Sequence, residues 1–220
     1  MNKFDNTWFI VPARKESKGV PFKNRFLIDY TINSIPKNLK AKIIVSTDDE
    51  YIIEKMLEKN IKVLKRNPKI AADNTDTKTV IEDVINQYGI KGEDLIFMLY
   101  TVYPERTFSM IEDIFKIFLK ENVDSLLCCT QVKTHPYLTF YLKDNNRGEP
   151  VIKHDLYRRQ DYPECFTINH MIAIFKAGKL KDLNTQFYND KTYFHLVDQL
   201  IDIDEKKDLE KFNLKYKKEG

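Results

Sequence analysis

Apolar residues fall in two patterns along this chain. Short runs of aliphatic, β-branched and aromatic residues occur at Trp8 to Val11, Lys42 to Thr47, Ile61 to Leu64, Asp94 to Leu99, Ser125 to Val132 and Ile168 to Ile174. Runs of this length and type predict strands buried in a sheet. Between them the spacing turns helical: Leu27, Tyr30, Thr31, Ser34 and Ile35 share one face over 26–35, and Pro36 ends the segment. Further helices are predicted over 50–60, 79–88 and 108–122, the last with apolar residues at 111, 114, 115, 117, 118 and 119. Strands that alternate with helices predict an α/β fold around a mostly parallel sheet. Asp94 to Leu99, apolar on both faces, is the expected central strand. Near the end, alternation in Gln199 to Asp204 places Ile201 and Ile203 on one side of an extended segment and Asp202 and Asp204 on the other. No repeat, low-complexity linker or second-domain boundary interrupts 1–220, which reads as a single domain.

Composition narrows the function classes. A chain of 220 residues with 42% hydrophobic residues can bury a core without staples. Its 36 basic and 33 acidic residues leave a net charge of only +3, so no global field points to a nucleic-acid partner. Three cysteines, with Cys128 and Cys129 adjacent in an apolar run, form neither a disulfide framework nor a CxxC metal site. They read as core residues in a reducing compartment. No run of about 18 apolar residues and no leader-like N-terminal stretch is present. A cytoplasmic protein without a membrane partner is the expectation.

The candidate chemistry begins where the first strand stops. Pro12 has no backbone donor, and after Ala13 come Arg14, Lys15, Lys18 and Lys23, with Ser17 and Gly19 between them and only Glu16 in opposition. A cationic loop at the carboxyl end of a first strand lies where open α/β sheets bind ligands. Arginine forks two donors onto phosphate oxygens, lysine adds point charges, and glycine permits close backbone approach, so a polyphosphate is the expected guest. The loop lacks the spacing of GxxxxGK[ST] and of GxGxxG, which argues against a Walker-type ATPase and a dinucleotide site. Two acidic pairs leave alternatives open. Asp202 and Asp204, about 7 Å apart along an extended backbone, suit one Mg²⁺, or Asp204 caps the helix that follows over 205–212. Asp48 and Asp49, just before the helix over 50–60, are cap residues or metal ligands.

The run PARKESKGVPFKN resembles the nucleotide loop of the acylneuraminate cytidylyltransferase family, whose pattern is roughly (L/P)AR-x-x-SKG-(hydrophobic)-P-x-KN. The likeness continues in order along the chain: IVSTDD at 44–49, the loop around Arg66, Ala71, Asp73 and Thr77, then Leu99, Pro104, Arg106 and Thr107, the RRQD run at 158–161, Asn169, and IDID at 201–204. Departures are local. A turn that usually separates KN from the first helix is missing, Tyr100 stands where the family has an acceptor-binding glutamine, and His170 replaces a glycine.

The resemblance implies a Rossmann-like, three-layer α/β sandwich with a mostly parallel mixed sheet and a small dimerisation arm over 139–165. It implies transfer of CMP from CTP to a 2-keto-3-deoxy sugar acid, with loss of pyrophosphate, by a homodimer that serves surface polysaccharide synthesis. On that basis Arg14, Lys18 and Lys23 clamp the triphosphate, while Pro12, Ala13, Asn24, Arg66, Asp73 and Thr77 bind the nucleotide. Tyr100, Arg159, Gln160 and Asn169 meet the acceptor, and Asp202 and Asp204 hold Mg²⁺. Tyr100 and His170 imply an acceptor other than ordinary N-acetylneuraminic acid. Transfer to a different acceptor, or a nucleotide-binding relative without catalysis, are the competing readings.

Overall fold

A computed structural model describes residues 3–17, 19–71 and 75–216. In chain order the strands and helices are β1 (Thr7–Pro12), α1 (Lys23–Asn33), β2 (Ile43–Thr47), α2 (Glu50–Glu58), β3 (Lys62–Lys65), α3 (Thr77–Tyr88), β4 (Leu95–Met98), α4 (Phe108–Glu121), β5 (Ser125–Gln131), β6 (Phe140–Leu142), β7 (Gly148–Pro150), β8 (Phe166–Lys176), β9 (Tyr193–Leu196) and α5 (Lys206–Tyr216). Seven strands form one sheet in the order β3-β2-β1-β4-β8-β5-β9, and β4 is its middle strand as its two-sided apolar pattern predicts. The β1–β2, β1–β4, β2–β3 and β5–β9 pairs are parallel, whereas β8 runs antiparallel to both neighbours. The expected α/β sandwich with a mostly parallel mixed sheet is the fold observed. β6 and β7 pair separately as a small antiparallel hairpin within the expected arm.

Burial explains the layers. On one sheet face Phe9, Val11 and Phe97 pack against Ile28 and Ile32 of α1, Met56 of α2 and Phe115 of α4. On the other, Ile10, Ile44 and Met98 pack against Ile81 and Val84 of α3 and against Leu180, Leu183 and Phe187. A third, smaller cluster joins Leu27 of α1, Ile203 and Phe212 of α5. It seats the C-terminal segment on α1, with the Phe212 ring edge-on to Tyr30 at 5.3 Å. Among the described residues no helix is long and apolar enough to cross a membrane.

Some boundaries differ from the periodicity. α1 starts at Lys23 rather than near residue 26, because Phe22 takes a left-handed turn at φ 54° and the helix absorbs Lys23 and Asn24. β9 has a half-exposed, weakly alternating sequence and gives no clear signal; only its place at the sheet edge defines it. Cys128 and Cys129 are buried in β5, and burial pushes the Cys128 thiol up to about 12. That is the inert core role expected of them.

One buried charge ties the layers together. Arg106 donates to the carbonyls of Tyr100 and Met171 and to the Thr31 hydroxyl at 2.8–3.0 Å, and so links the end of β4, strand β8 and α1. Burial lowers its guanidinium to about 9, still charged at neutral pH. Hydrogen bonds from a charged donor contribute about 1.5–3 kcal/mol each, and their loss strands buried acceptors. Arg106→Leu is therefore expected to lower unfolding free energy by roughly 3 kcal/mol in urea denaturation, and an unchanged midpoint would contradict this role.

Candidate functional site

The sheet order reverses beside β1: its chain successor β2 lies on one side and β4 on the other. Such a switch point opens a crevice at the carboxyl ends of the strands. A cavity of about 560 Å³ occupies it. The loop after β1 contributes Pro12, Arg14, Ser17 and Gly19, and the start of α1 contributes Lys23 and Asn24. Arg66 enters after β3, Thr75 and Thr77 before and at α3, the 100–103 segment after β4, His170 from β8, and Asp202 and Asp204 from the C-terminal segment. The first loop and the late aspartates, nearly the whole sequence apart, share one site.

Their junction is tight. The Lys23 ammonium is buried and donates to the Ile203 carbonyl at 2.7 Å and to Asp204 Oδ1 at 2.8 Å. A Cβ on Gly19 would lie 1.9 Å from the Asp204 carbonyl oxygen, so only glycine lets the two backbones approach this closely. Ile203 N donates to the Val102 carbonyl, which pins the segment from its other side. Asp204 does not cap α5: its carboxylate meets Lys23, and the backbone amides of Asp204 and Glu205 donate to Asp208. The ion pair alone is weak, since the Asp204 side chain is 70% exposed and such pairs contribute about 0–1 kcal/mol. Full burial of an Ile side chain contributes about 1.5–3 kcal/mol. Ile203 therefore holds the segment in place, and Lys23 aims its acidic face.

Asp202 is a half-buried carboxylate in the cavity. Tyr103 donates its hydroxyl to Asp202 Oδ2 at 2.9 Å, whereas Asp202 Oδ1 is buried with no hydrogen-bond partner. Burial, then the neighbouring Asp204 charge, raises the Asp202 carboxyl above its ordinary value. The Tyr103 phenol is pushed up by burial and by Asp202, which keeps it protonated and donating. A buried carboxylate oxygen without a partner is what a cation ligand looks like before the cation arrives. Among the described residues no group of three or more His, Cys, Asp or Glu gathers to hold a metal, and a pair of carboxylates suits a hard ion that keeps waters and phosphate oxygens, as Mg²⁺ does.

The nucleotide side is cationic. Arg66 is buried and bonds Ser46 Oγ and the Ser46 carbonyl at 3.1 and 3.0 Å. Burial lowers it to about 10, with Asp48 opposing and the nearby Arg14 charge adding to the drop. Two guanidinium groups held close enough to disfavour each other favour an anion between them. Asn24 spans the loop: its Nδ2 donates to the Arg14 carbonyl at 2.7 Å and its Oδ1 accepts from Thr101. Asp49 takes the cap alternative, accepting from Tyr51 N at the start of α2 and pairing with Arg25, while Asp48 does not cap and accepts from Lys15 N.

Among the predicted site residues, the cavity gathers Pro12, Arg14, Lys23, Asn24, Arg66, Thr77, Tyr100, Asp202 and Asp204. Lys18 and Asp73 lie outside the described residues. Ala13 is fully buried beside the cavity, its amide bonded to the Ser46 carbonyl. Asn169 is buried and accepts from Met171 N. Arg159 and Gln160 sit on an exposed turn at Arg159–Asp161, away from the cavity of their own chain. Tyr100 faces the cavity, but its hydroxyl is spent on Thr77 at 2.9 Å. Sequence reasoning missed Tyr103 and Gln186. Tyr103 could have been found from its position just past the central strand, where ligands gather. Gln186, which meets His170 Nε2 at 2.9 Å, lies in a loop without any motif.

A family model described as "Cytidylyltransferase" matches residues 8–218. The N-acylneuraminate cytidylyltransferase of Streptococcus agalactiae serotype V is 29% identical over 206 residues, covering 89% of this chain and 49% of that protein. The chain thus spans about half the length of that relative. The pseudaminic acid cytidylyltransferase of Campylobacter jejuni serotype O:2 is 27% identical over 223 residues, covering 94% of this chain and 95% of that protein. The fold matches a solved CMP:2-keto-3-deoxy-manno-octonic acid synthetase complexed with CTP, with a TM-score of 0.70 at 12% identity, over 98% of this chain and 100% of that one.

The close approach at Gly19 carries its own test. Gly19→Ala forces the first loop and the acidic segment apart; overpacking of this kind costs about 1–3 kcal/mol. The expected fall in Tm is roughly 2–12 °C in calorimetry, at about 2–4 °C per kcal/mol for this size. An unchanged Tm would mean that the contact does not matter.

Proposed function

The chain belongs to the cytidylyltransferase family, and from that premise we propose that it transfers a cytidylyl group from CTP to a sugar acid of the 2-keto-3-deoxy class. In this reaction an acceptor hydroxyl forms the new bond to the α-phosphorus, the bond to the β-phosphate oxygen breaks, and pyrophosphate leaves while the hydroxyl proton departs. No covalent enzyme intermediate is needed. The protein aligns attacker and leaving group and offsets the charge that grows on the phosphate oxygens.

The single observation that carries the proposal is the convergence of the Arg14–Arg66 pair and the Asp202–Asp204 pair on one cavity. Arg14 and Arg66 would hold phosphate oxygens, joined by Lys18. Lys23, paired with Asp204, fixes the acidic segment against the loop rather than reaching freely for the triphosphate. Asn24 holds the loop backbone through the Arg14 carbonyl. Asp202 and Asp204 would hold Mg²⁺, and their donor set fits it. When bound, that ion supplies charge neutralisation at the phosphates and greater acidity of the attacking hydroxyl. Asp73, Ala13 and Thr77 complete the proposed nucleotide side.

The acceptor is a proposal of lower resolution. The relatives above are named for N-acylneuraminate and pseudaminic acid, which supports an acidic sugar without selecting one. Tyr100, His170 and Gln186 wall that end of the cavity, and burial lowers the His170 imidazole so that it stays neutral. A neutral wall favours reading hydroxyl or acylamino groups there. A non-catalytic binder is the competing reading, and turnover with an acceptor distinguishes the two.

The arm supports a homodimer. Phe140, Tyr141 and Leu142 are each more than 60% exposed and Tyr157 is 95% exposed, an apolar surface that a second copy would cover. In that assembly Arg159 and Gln160 would reach the partner's cavity. Leu142→Asp is expected to shift the protein to monomers in light scattering, and a monomeric parent protein would remove the dimer proposal.

The reaction is tested by pyrophosphate release from CTP with a panel of keto-deoxy sugar acids, with and without Mg²⁺. Asp202→Asn is expected to abolish Mg²⁺-dependent release while the protein stays folded by circular dichroism. Near-normal release by this variant would remove Asp202 from the reaction, and CTP binding without turnover on any acceptor would favour the binder.

A further inference from the structure

The Tyr103–Asp202 hydrogen bond does more than tie two segments. We infer that Tyr103 is a positioning residue that limits Asp202 to one metal-binding oxygen and thereby sets which divalent cation the site accepts. The inference rests on Asp202 being a cation ligand, as proposed above.

The geometry is asymmetric at the carboxylate. Oδ2 receives the phenol at 2.9 Å, and Oδ1 receives nothing. Tyr103 is buried at the end of the sheet's central strand segment, and it packs in the main core, so its ring has little freedom to release the carboxylate. The segment that carries Asp202 is fixed on both sides of that residue. Ile201 N donates to Glu105, and Ile203 is buried with its amide on Val102 and its carbonyl on Lys23. The Asp202 side chain is therefore held on a fixed mount with Oδ2 engaged and only the buried Oδ1 without a donor.

That single oxygen has a chemical consequence. Mg²⁺ demands near-octahedral geometry and takes carboxylates through one oxygen, with waters and phosphates in its other positions. Ca²⁺ accepts six to eight ligands and readily takes both oxygens of one carboxylate. With Oδ2 engaged by a protonated phenol, the two-oxygen mode at Asp202 is closed. Removal of the phenol oxygen frees Oδ2, loosens the carboxylate and opens that mode. Outer partners of this kind typically change metal affinity by 10- to 100-fold when removed.

The test reads cation binding directly. Mn²⁺ binding to the CTP-loaded protein is followed by electron paramagnetic resonance, and Mg²⁺ and Ca²⁺ affinities come from competition against Mn²⁺. Tyr103→Phe is expected to weaken Mn²⁺ and Mg²⁺ binding 10- to 100-fold while Ca²⁺ binding falls less, so the Ca²⁺-to-Mg²⁺ affinity ratio rises. In an Asp202→Asn background the same change is expected to have no effect. Unchanged affinities and an unchanged ratio in Tyr103→Phe would overturn the inference while leaving Asp202 as a ligand. Full Mn²⁺ binding by Asp202→Asn alone would instead overturn the ligand assignment beneath it. Tyr103→Met, apolar, flexible and without a donor, takes the place of the phenylalanine variant should that one not fold.

Discussion

A buried ammonium must find partners, and the rest of this site follows from where Lys23 finds them. It lies in the first turn of α1, at the mouth of the crevice beside β1, and its partners come from the far end of the chain. A lysine placed there without Ile203 and Asp204 would carry an unmet charge in a nearly dry position. The cationic loop after β1 and the acidic segment before α5 are thereby locked at one distance. Opposite charges meet at Lys23 and Asp204, and farther along the cavity Arg14 and Arg66 line the wall while Asp202 Oδ1 has no hydrogen-bond donor. In the proposed reaction an anion on one side and a cation on the other would complete the balance.

The energetic weights differ between the two ends of this contact. Apolar burial of Ile203 against Leu27 and Phe212 supplies the holding force, and the charged groups supply direction. This division explains why one oxygen of Asp202 can remain without a donor. Asp202 carries a desolvation cost that the fold tolerates because its flanking residues are secured by backbone hydrogen bonds and by the core. Stability lost at a functional carboxylate is a familiar trade in enzymes. Arg106 is a buried cation that donates to two carbonyls and a hydroxyl, with only its Nε unpartnered, and it ties elements of the fold together.

Much of this was legible in the residues. The alternation of strand and helix patterns and the two-sided apolar run at 94–99 correspond to elements in the expected place, and the alternation at 201–204 shows in irregular chain whose Ile203 is buried and whose Asp204 is exposed. The cationic loop was readable because lysine, arginine and glycine occur together just after a buried strand. What escaped was contact between distant segments. Nothing local in Lys23 says that it pairs with Asp204 rather than standing free, and Gly19 gives no sign that its missing Cβ makes room for another backbone. Tyr103 reads as one more aromatic near a central strand until its hydroxyl is seen at Asp202. Gln186 lies in a loop whose sequence carries no period. The start of α1 was displaced because a left-handed Phe22, unusual for a residue with a side chain, lets the helix begin three residues early.

The claim that the opening loop and the late aspartates form one metal-nucleotide site is tested most directly by anomalous scattering from crystals grown with CTP and Mn²⁺. The expected map has one manganese peak against Asp202 and Asp204, with the triphosphate alongside it over Arg14 and Arg66. A triphosphate bound elsewhere, or a manganese peak remote from both aspartates, would contradict it.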